Sequence, residues 1–321
     1  MVGSRGAVGL RVGEKILLGF LTYATVASFV FHLSLRERAV LLALNLTVGM
    51  VVIALSKAAK EGPDSLFAIL RDWFPAVLVL VAYRESGLFI TPDPTHHLDY
   101  LFIRFDRWLL SSRLVLGTLR TLSPWLQYYL EIAYFFCYPM VPLGIGSLYW
   151  ARAREARSRK VESAGTLTAS PILVESTTEA ASARCSAFGE KSIDCFWTAV
   201  LGTVLFSYLL FPFFPLTPPR TLFHDLPGPA VQPLLRNVNL WLLGKYSVQA
   251  CLFPSGHVAA VIATALAVRK FLPRLGIVFI IVALSISAAT VYGRYHYTVD
   301  ALAGAAVGVA GFLVSGWLQR K

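Results

Sequence analysis

Cys251–Gly304 reads CLFPSGHVAA, continues through apolar sequence to Thr290, and closes with VYGRYHYTVDALAG. Pro254-Ser255-Gly256-His257 opens one membrane-length run, and Arg294, His296 and Asp300 open another. Imidazoles and a carboxylate are expensive to keep in a membrane and mark functional positions. His296 and Asp300 are four residues apart, so a helix over 296–317 sets them on one face, one turn apart. There the carboxylate accepts the imidazole Nδ1–H, fixes the tautomer and leaves Nε2 available as a nucleophile. A His–Asp pair that merely caps the helix is the plainer reading, and His257 weighs against it. That residue follows Pro-Ser-Gly in the first turn of its helix, where open backbone N–H groups and the helix dipole favour an anion such as a phosphate oxygen. Arg294 adds a planar cationic fork, and Arg220, in Pro218-Pro219-Arg220, a second. A nucleophile, its orienting acid, a second histidine for proton transfer and two cationic clamps are what phosphoryl transfer through a covalent intermediate requires.

Outward from this stretch, composition agrees with a membrane setting. Hydrophobic residues make up 56% of the 321 and charged residues only 15%, well below the roughly 25% of soluble domains. The expected fold is all-α: a polytopic membrane helical bundle of about eight transmembrane helices. The net charge of +11 does not indicate nucleic acid, because the basic residues sit in short loops between apolar runs. Cys137, Cys185, Cys195 and Cys251 lack disulfide-like or zinc-ligand spacing, so no disulfide, metal or cofactor is expected.

In chain order, apolar runs are expected at 16–33, 39–55, 73–90, 128–150, 196–214, 257–271, 275–292 and 296–318. The first reads as an uncleaved helix rather than a signal peptide. Lys57, Lys60 and Arg71 mark the loop after the second run, and Arg84 and Glu85 reach the interface at the end of the third. Thr91–Pro94 signals a turn. Leu98, Leu101, Phe102, Phe105 and Leu109 then recur at helical spacing against Arg104, Asp106 and Arg107, which predicts an interfacial amphipathic helix. His96, His97 and Asp99 ahead of it read as a solvated loop rather than a metal site. Glu131 and Tyr134, early in the fourth run, are candidates for lining a pocket. The domain plan is two extra N-terminal helices in 1–66, the first part of a core in 67–150, a flexible cytoplasmic linker in 151–194, and the second part of the core, with the site, in 195–321. Within the last part, the Pro-rich 215–253 holds a short interfacial segment near 238–243.

These residues resemble the type 2 phosphatidic acid phosphatase superfamily. Its second motif, Pro-Ser-Gly-His, stands intact as Pro254–His257, and of its third, His-x-x-x-Asp stands as His296 and Asp300. The resemblance covers residues 70–320 and implies a six-helix catalytic core. It also implies that His296 becomes phosphohistidine, Asp300 orients it, His257 protonates the leaving oxygen, and Ser255 and Gly256 hold phosphate oxygens. Departures exist: the third-motif serine and arginine would fall at Ala289 and Thr290, the first-motif lysine at Phe213, and Arg220 is followed by Thr221. Pro-Pro-Arg and Arg-Tyr-His-Tyr-x-x-Asp are more similar to the branch of inositol phosphorylceramide synthase and its bacterial relatives. The implied activity is that of a phosphoric ester hydrolase or phosphotransferase acting on a phospholipid or lipid pyrophosphate.

Eight spans place both termini on one side. Most of the 29 lysines and arginines fall on that side, which the positive-inside rule makes cytoplasmic. Arg220, His257, His296 and Asp300 then share the extracytoplasmic face, with the plasma (inner) membrane the expected location. Competing readings are a non-catalytic lipid-binding or transport protein that retains the fold, a haloperoxidase, and a two-histidine, one-carboxylate metal site. A transporter more often shows broken helices and internal repeats, and none is visible in the sequence.

Overall fold

The computed structural model describes residues 9–59, 65–91, 97–110, 122–165, 171–225, 234–248 and 250–320. Among them the chain is almost entirely helical. The helices are α1 (Val12–Val30), α2 (Leu35–Ala58), α3 (Leu66–Gly87), α4 (His97–Leu110), α5 (Pro124–Phe135), α6 (Met140–Gly165), α7 (Pro171–Leu210), α8 (Pro219–Leu222), α9 (Leu234–Tyr246), α10 (Gly256–Phe271), α11 (Pro273–Tyr292) and α12 (Thr298–Leu318). Pro215–Leu216 (β1) pairs antiparallel with Cys251–Leu252 (β2), a two-residue clasp that closes the loop between α7 and α10.

Starts and stops follow local chemistry. Ser34 caps α2, accepting from the Glu37 N–H while the Glu37 carboxylate accepts from the Ser34 N–H, a reciprocal capping box. Ser65, Ser123 and Ser255 cap α3, α5 and α10 in the same way with one hydroxyl each, and Pro124 and Pro273 occupy first turns where no N–H is needed.

Among the described residues six helical stretches are long and apolar enough to cross a membrane: α1, α2, α3, Lys191–Phe213 (the end of α7 and the short turn after it), α11 and α12. A seventh arises if α5 and the first part of α6, bent by 71° at residues 136–139, are one span. The sequence predicts eight. The eighth is α10, whose 16 residues rise about 24 Å, short of a bilayer core. It is short because it is wrapped by protein: α6, α7, α11 and α12 all pack on it, and Val258, Ala259, Val261, Ala263, Ala267 and Val268 are fully buried. The fourth expected run, 128–150, is likewise split by the bend. The outward faces of α2, α3, α11 and α12 carry exposed Leu46, Leu80, Ile281 and Leu313, as lipid contact requires.

In lipid, helices associate through close packing of small residues. Gly304 and Gly308 bring α12 onto α10: a methyl group at Gly304 would stand 2.6 Å from the Ser255 carbonyl oxygen, and one at Gly308 would stand 2.8 Å from Ile262 Cβ. This contact fixes the start of α12 against the start of α10.

Within 151–194, the expected linker, residues 166–170 lie outside the described residues and the rest are helical. Residues 151–165 continue α6 and 171–194 belong to α7. The Ala, Ser, Glu and Arg content that reads as unstructured is also compatible with helix. Residues 92–96, including His96 and part of the predicted turn, lie outside the described residues.

The end of the bundle away from β1 and β2 is closed by charge. Arg71 is not a loop marker but a buried residue of α3, paired through Nε and Nη2 with Glu14 of α1 at 2.5 and 2.7 Å. Asp72 takes an ion pair from Arg11 and a hydrogen bond from the Tyr149 hydroxyl at 2.6 Å. Its carbonyl accepts the Trp197 indole N–H at 2.7 Å. Gln319, just past α12, donates to Asp194 at 3.1 Å. The beginning of α1 and the end of α12 therefore sit at the same end. Glu85, expected at the interface, is instead buried (3% exposed), because it follows the inward face of α3 while the exposed Arg84 turns out to the Tyr246 carbonyl at 3.1 Å.

Candidate active site

α12 begins at Thr298, with Tyr297 as its N-cap, two residues later than predicted. His296 therefore precedes the helix and Asp300 occupies its first turn. The pair still meets: Nδ1 of His296 lies 2.5 Å from Oδ2 of Asp300, with the carboxylate fully buried and the imidazole 9% exposed. His296 is held by its backbone too. The N–H groups of Tyr295 and His296 both donate to the Thr290 carbonyl, at 2.9 and 3.1 Å. The intervening Arg294 adopts φ 59°, a left-handed conformation that costs a non-glycine residue about 1–3 kcal/mol and persists only where neighbours impose it.

The second histidine comes from α10. Ser255 caps that helix and its backbone N–H donates to the Asp300 carbonyl at 3.3 Å, so the motif segment is bonded directly to the first turn of α12. Gly256 and His257 follow at the helix start. The His257 ring stands 5.8 Å, centroid to centroid, from His296, at 61° between planes. On its other side Tyr138 packs edge-on at 6.3 Å.

The two arginines meet through the backbone. The Arg220 N–H donates to the Arg294 carbonyl at 3.0 Å, and Arg294 Nη1 donates to the Phe223 carbonyl at 3.3 Å. Burial, then the charge of Arg236, lowers Arg294 from the ordinary arginine value; it remains a cation. The Arg220 guanidinium acts electrostatically on His257, Tyr83, Tyr134 and Tyr138. It makes no hydrogen bond or ion pair to another side chain among the described residues. A half-buried guanidinium without a protein counter-ion is a ready place for an anion.

The structure thus brings together Arg220, Ser255, Gly256, His257, Arg294, His296 and Asp300. Tyr134 is buried beside them. Glu131, one turn earlier on the same face, is committed to an ion pair with Arg236 rather than to the two histidines. Among the described residues no group of three or more His, Cys, Asp or Glu side chains could hold a metal ion.

Two residues of α4 were missed by the sequence reading. Asp99 is buried rather than on a solvated loop, and its Oδ1 accepts the Thr217 N–H at 2.8 Å and the Tyr297 hydroxyl at 3.3 Å. Asp106 accepts the Thr298 N–H at 2.9 and 3.1 Å, a cap donated from another helix to the positive end of α12. Burial raises Asp106 above the usual carboxylate value, and the Thr298 N–H opposes the rise. The signal was present: positions 99 and 106 are two helical turns apart, on the face that carries Phe102.

Compared with known proteins, residues 188–314 match the PAP2 superfamily. A "PA-phosphatase related-family protein" of Dictyostelium discoideum is 46% identical over 65 residues, which is 20% of this chain and 12% of that protein. No solved structure matches. The carboxy-terminal part of the chain, the part in which His257, His296 and Asp300 converge, is thus similar to the PAP2 superfamily.

Proposed function

We propose that this protein is a membrane lipid phosphatase or phosphotransferase that works through phosphohistidine. The observation that carries the reading is His296, fixed by Asp300 at 2.5 Å, with a second imidazole, His257, at 5.8 Å between ring centroids. A phosphoryl group bound beside the two rings meets Nε2 of His296 on one side. Its bond to the lipid oxygen breaks as the Nε2–phosphorus bond forms, and His257 gives its proton to the departing oxygen. Arg220, Arg294 and the N–H groups at the start of α10 neutralise the equatorial oxygens. In the second half His257 takes a proton from the acceptor, which attacks phosphorus and frees His296. Water as acceptor gives a phosphatase; an alcohol gives a phosphodiester.

Incubating the purified protein with a panel of phospholipids and pyrophosphorylated lipids, with and without inositol, tests this. The expected product is free phosphate or a new phosphodiester, at a rate unchanged by EDTA, since histidine and arginine fill the roles a metal would otherwise take. Turnover of no lipid would leave a binding or transport protein. Loss in EDTA restored by zinc would make the two histidines and the carboxylate metal ligands.

The same reading places the site on the extracytoplasmic face, with the start of α1 and the end of α12 cytoplasmic. A cysteine at Lys245, in a background lacking Cys251, should react with an impermeant thiol reagent on intact cells. A cysteine at Ala153, lacking Cys185, should react only after permeabilisation. The reverse pattern would invert the topology.

A further inference from the structure

Behind the turn that presents His296 lies a second polar cluster, built from α5, α9 and the turn itself. We propose that Glu131, Arg236, Asn239 and Tyr295 form a positioning clamp that fixes His296 and Arg294 for phosphoryl transfer; the proposal rests on the function proposed above. Arg236 Nη1 lies 2.5 Å from Oε1 of Glu131, with both side chains buried. Asn239 donates to the Glu131 carbonyl at 3.1 Å and to its Oε2 at 3.2 Å. The Tyr295 hydroxyl donates to the same Oε2 at 2.8 Å. The Tyr295 ring stacks on Tyr134 at 3.8 Å, with 19° between planes, and the Arg236 guanidinium lies 5.7 Å from its centroid.

An interhelical staple between α5 and α9 would need only Arg236, Asn239 and Glu131. This cluster does more, because it grips the turn at two points. Arg236 Nη2 reaches the Gly293 carbonyl at 3.5 Å, and Glu131 holds the hydroxyl of Tyr295, the neighbour of His296. Between those points sits Arg294 in its left-handed conformation, its carbonyl committed to the Arg220 N–H. Gly293 is required as well, since a side chain there would collide with the Tyr295 ring. With both ends pinned, the path of the chain through 293–296 is determined. So is the direction in which His296 leaves it toward Asp300. None of the four clamp residues is needed to touch substrate; they act through His296 and Arg294.

The test compares Tyr295→Phe, which removes one hydroxyl, with Arg236→Gln and Arg236→Lys. Tyr295→Phe and Arg236→Gln should lower kcat about 10- to 100-fold, with KM within about twofold, because small misplacement of a reacting group costs rate rather than affinity. Arg236→Lys keeps a charge for Glu131 but not the fork that also reaches Gly293, and should fall between. A nitrogen-15 spectrum of His296 should show one Nδ1-protonated tautomer in the parent and a mixture in Tyr295→Phe. Unchanged kcat in folded Tyr295→Phe, or a His296 spectrum identical to the parent's, would overturn the clamp. If Arg236→Gln fails to fold, Tyr295→Phe decides alone. If the parent turns over no lipid, the proposed function fails while the His296 spectrum still judges the clamp.

Discussion

His296→Ala should abolish turnover, by about 10⁵–10⁶-fold, the scale set when a nucleophile is removed from a catalytic unit. In the proposed mechanism His296 alone bonds phosphorus: Asp300 lies behind the imidazole, and His257 serves the leaving group. His257→Ala should behave differently. It removes a proton donor, worth about 10²–10⁴-fold, and the deficit depends on the leaving group. A lipid alkoxide needs that proton, whereas p-nitrophenolate departs without it. With p-nitrophenyl phosphate, His257→Ala should recover much of its rate and His296→Ala none. Acid-labile radiolabel trapped on the protein from a phosphorus-labelled substrate should appear in the parent and vanish in His296→Ala. Label still trapped on His296→Ala would sink the assignment of roles within the triad.

Asp300→Asn should cost about 10⁴-fold in kcat, as removal of the orienting carboxylate does in a comparable triad. The shape hardly changes, so the loss reports chemistry. An amide nitrogen turned toward Nδ1 donates where the carboxylate accepted, which moves the imidazole proton to Nε2, the atom that must attack. The carboxylate also balances the positive charge that His296 gains on bonding phosphorus, and the neutral amide does not. KM should move little, because Asp300 is fully buried behind His296. A loss of less than tenfold would reduce Asp300 to a helix-capping residue.

The sequence made some parts of this molecule legible and hid others for physical reasons. Apolar runs located α1, α2, α3, α7, α11 and α12, because lipid contact writes hydrophobicity into every outward face. The same cue marks α10, which is shorter than the others and packed among four helices, since burial in protein and burial in lipid select the same side chains. Pro254–His257 and His296-x-x-x-Asp300 could be read because their spacing is local. Glu131 could not: its partner Arg236 is 105 residues away, in a segment expected to be loop. Arg71 reads as a loop charge between apolar runs, and Glu85 as an interfacial one, because a single charge near a helix end ordinarily snorkels. Only the fold shows that Arg71 has a partner on α1 and that Glu85 faces inward. The wider likeness stands at the level of the PAP2 superfamily, for the part of the chain it covers.

The paired charges at the far end of the bundle bear on how the chain is built. Glu14 leaves the ribosome some 57 residues ahead of Arg71, its ion-pair partner, and until α3 follows, the buried end of α1 lacks that partner. Left unpaired, a buried charge of this kind destabilises by about 3–5 kcal/mol, so α1 is held with that end in the headgroup layer while α2 inserts. Arrival of α3 supplies Arg71 to Glu14 and Asp72 to Arg11 together, so one helix satisfies both charges of α1. A truncated chain ending before residue 71 should leave both unpaired and be more readily degraded than the full chain.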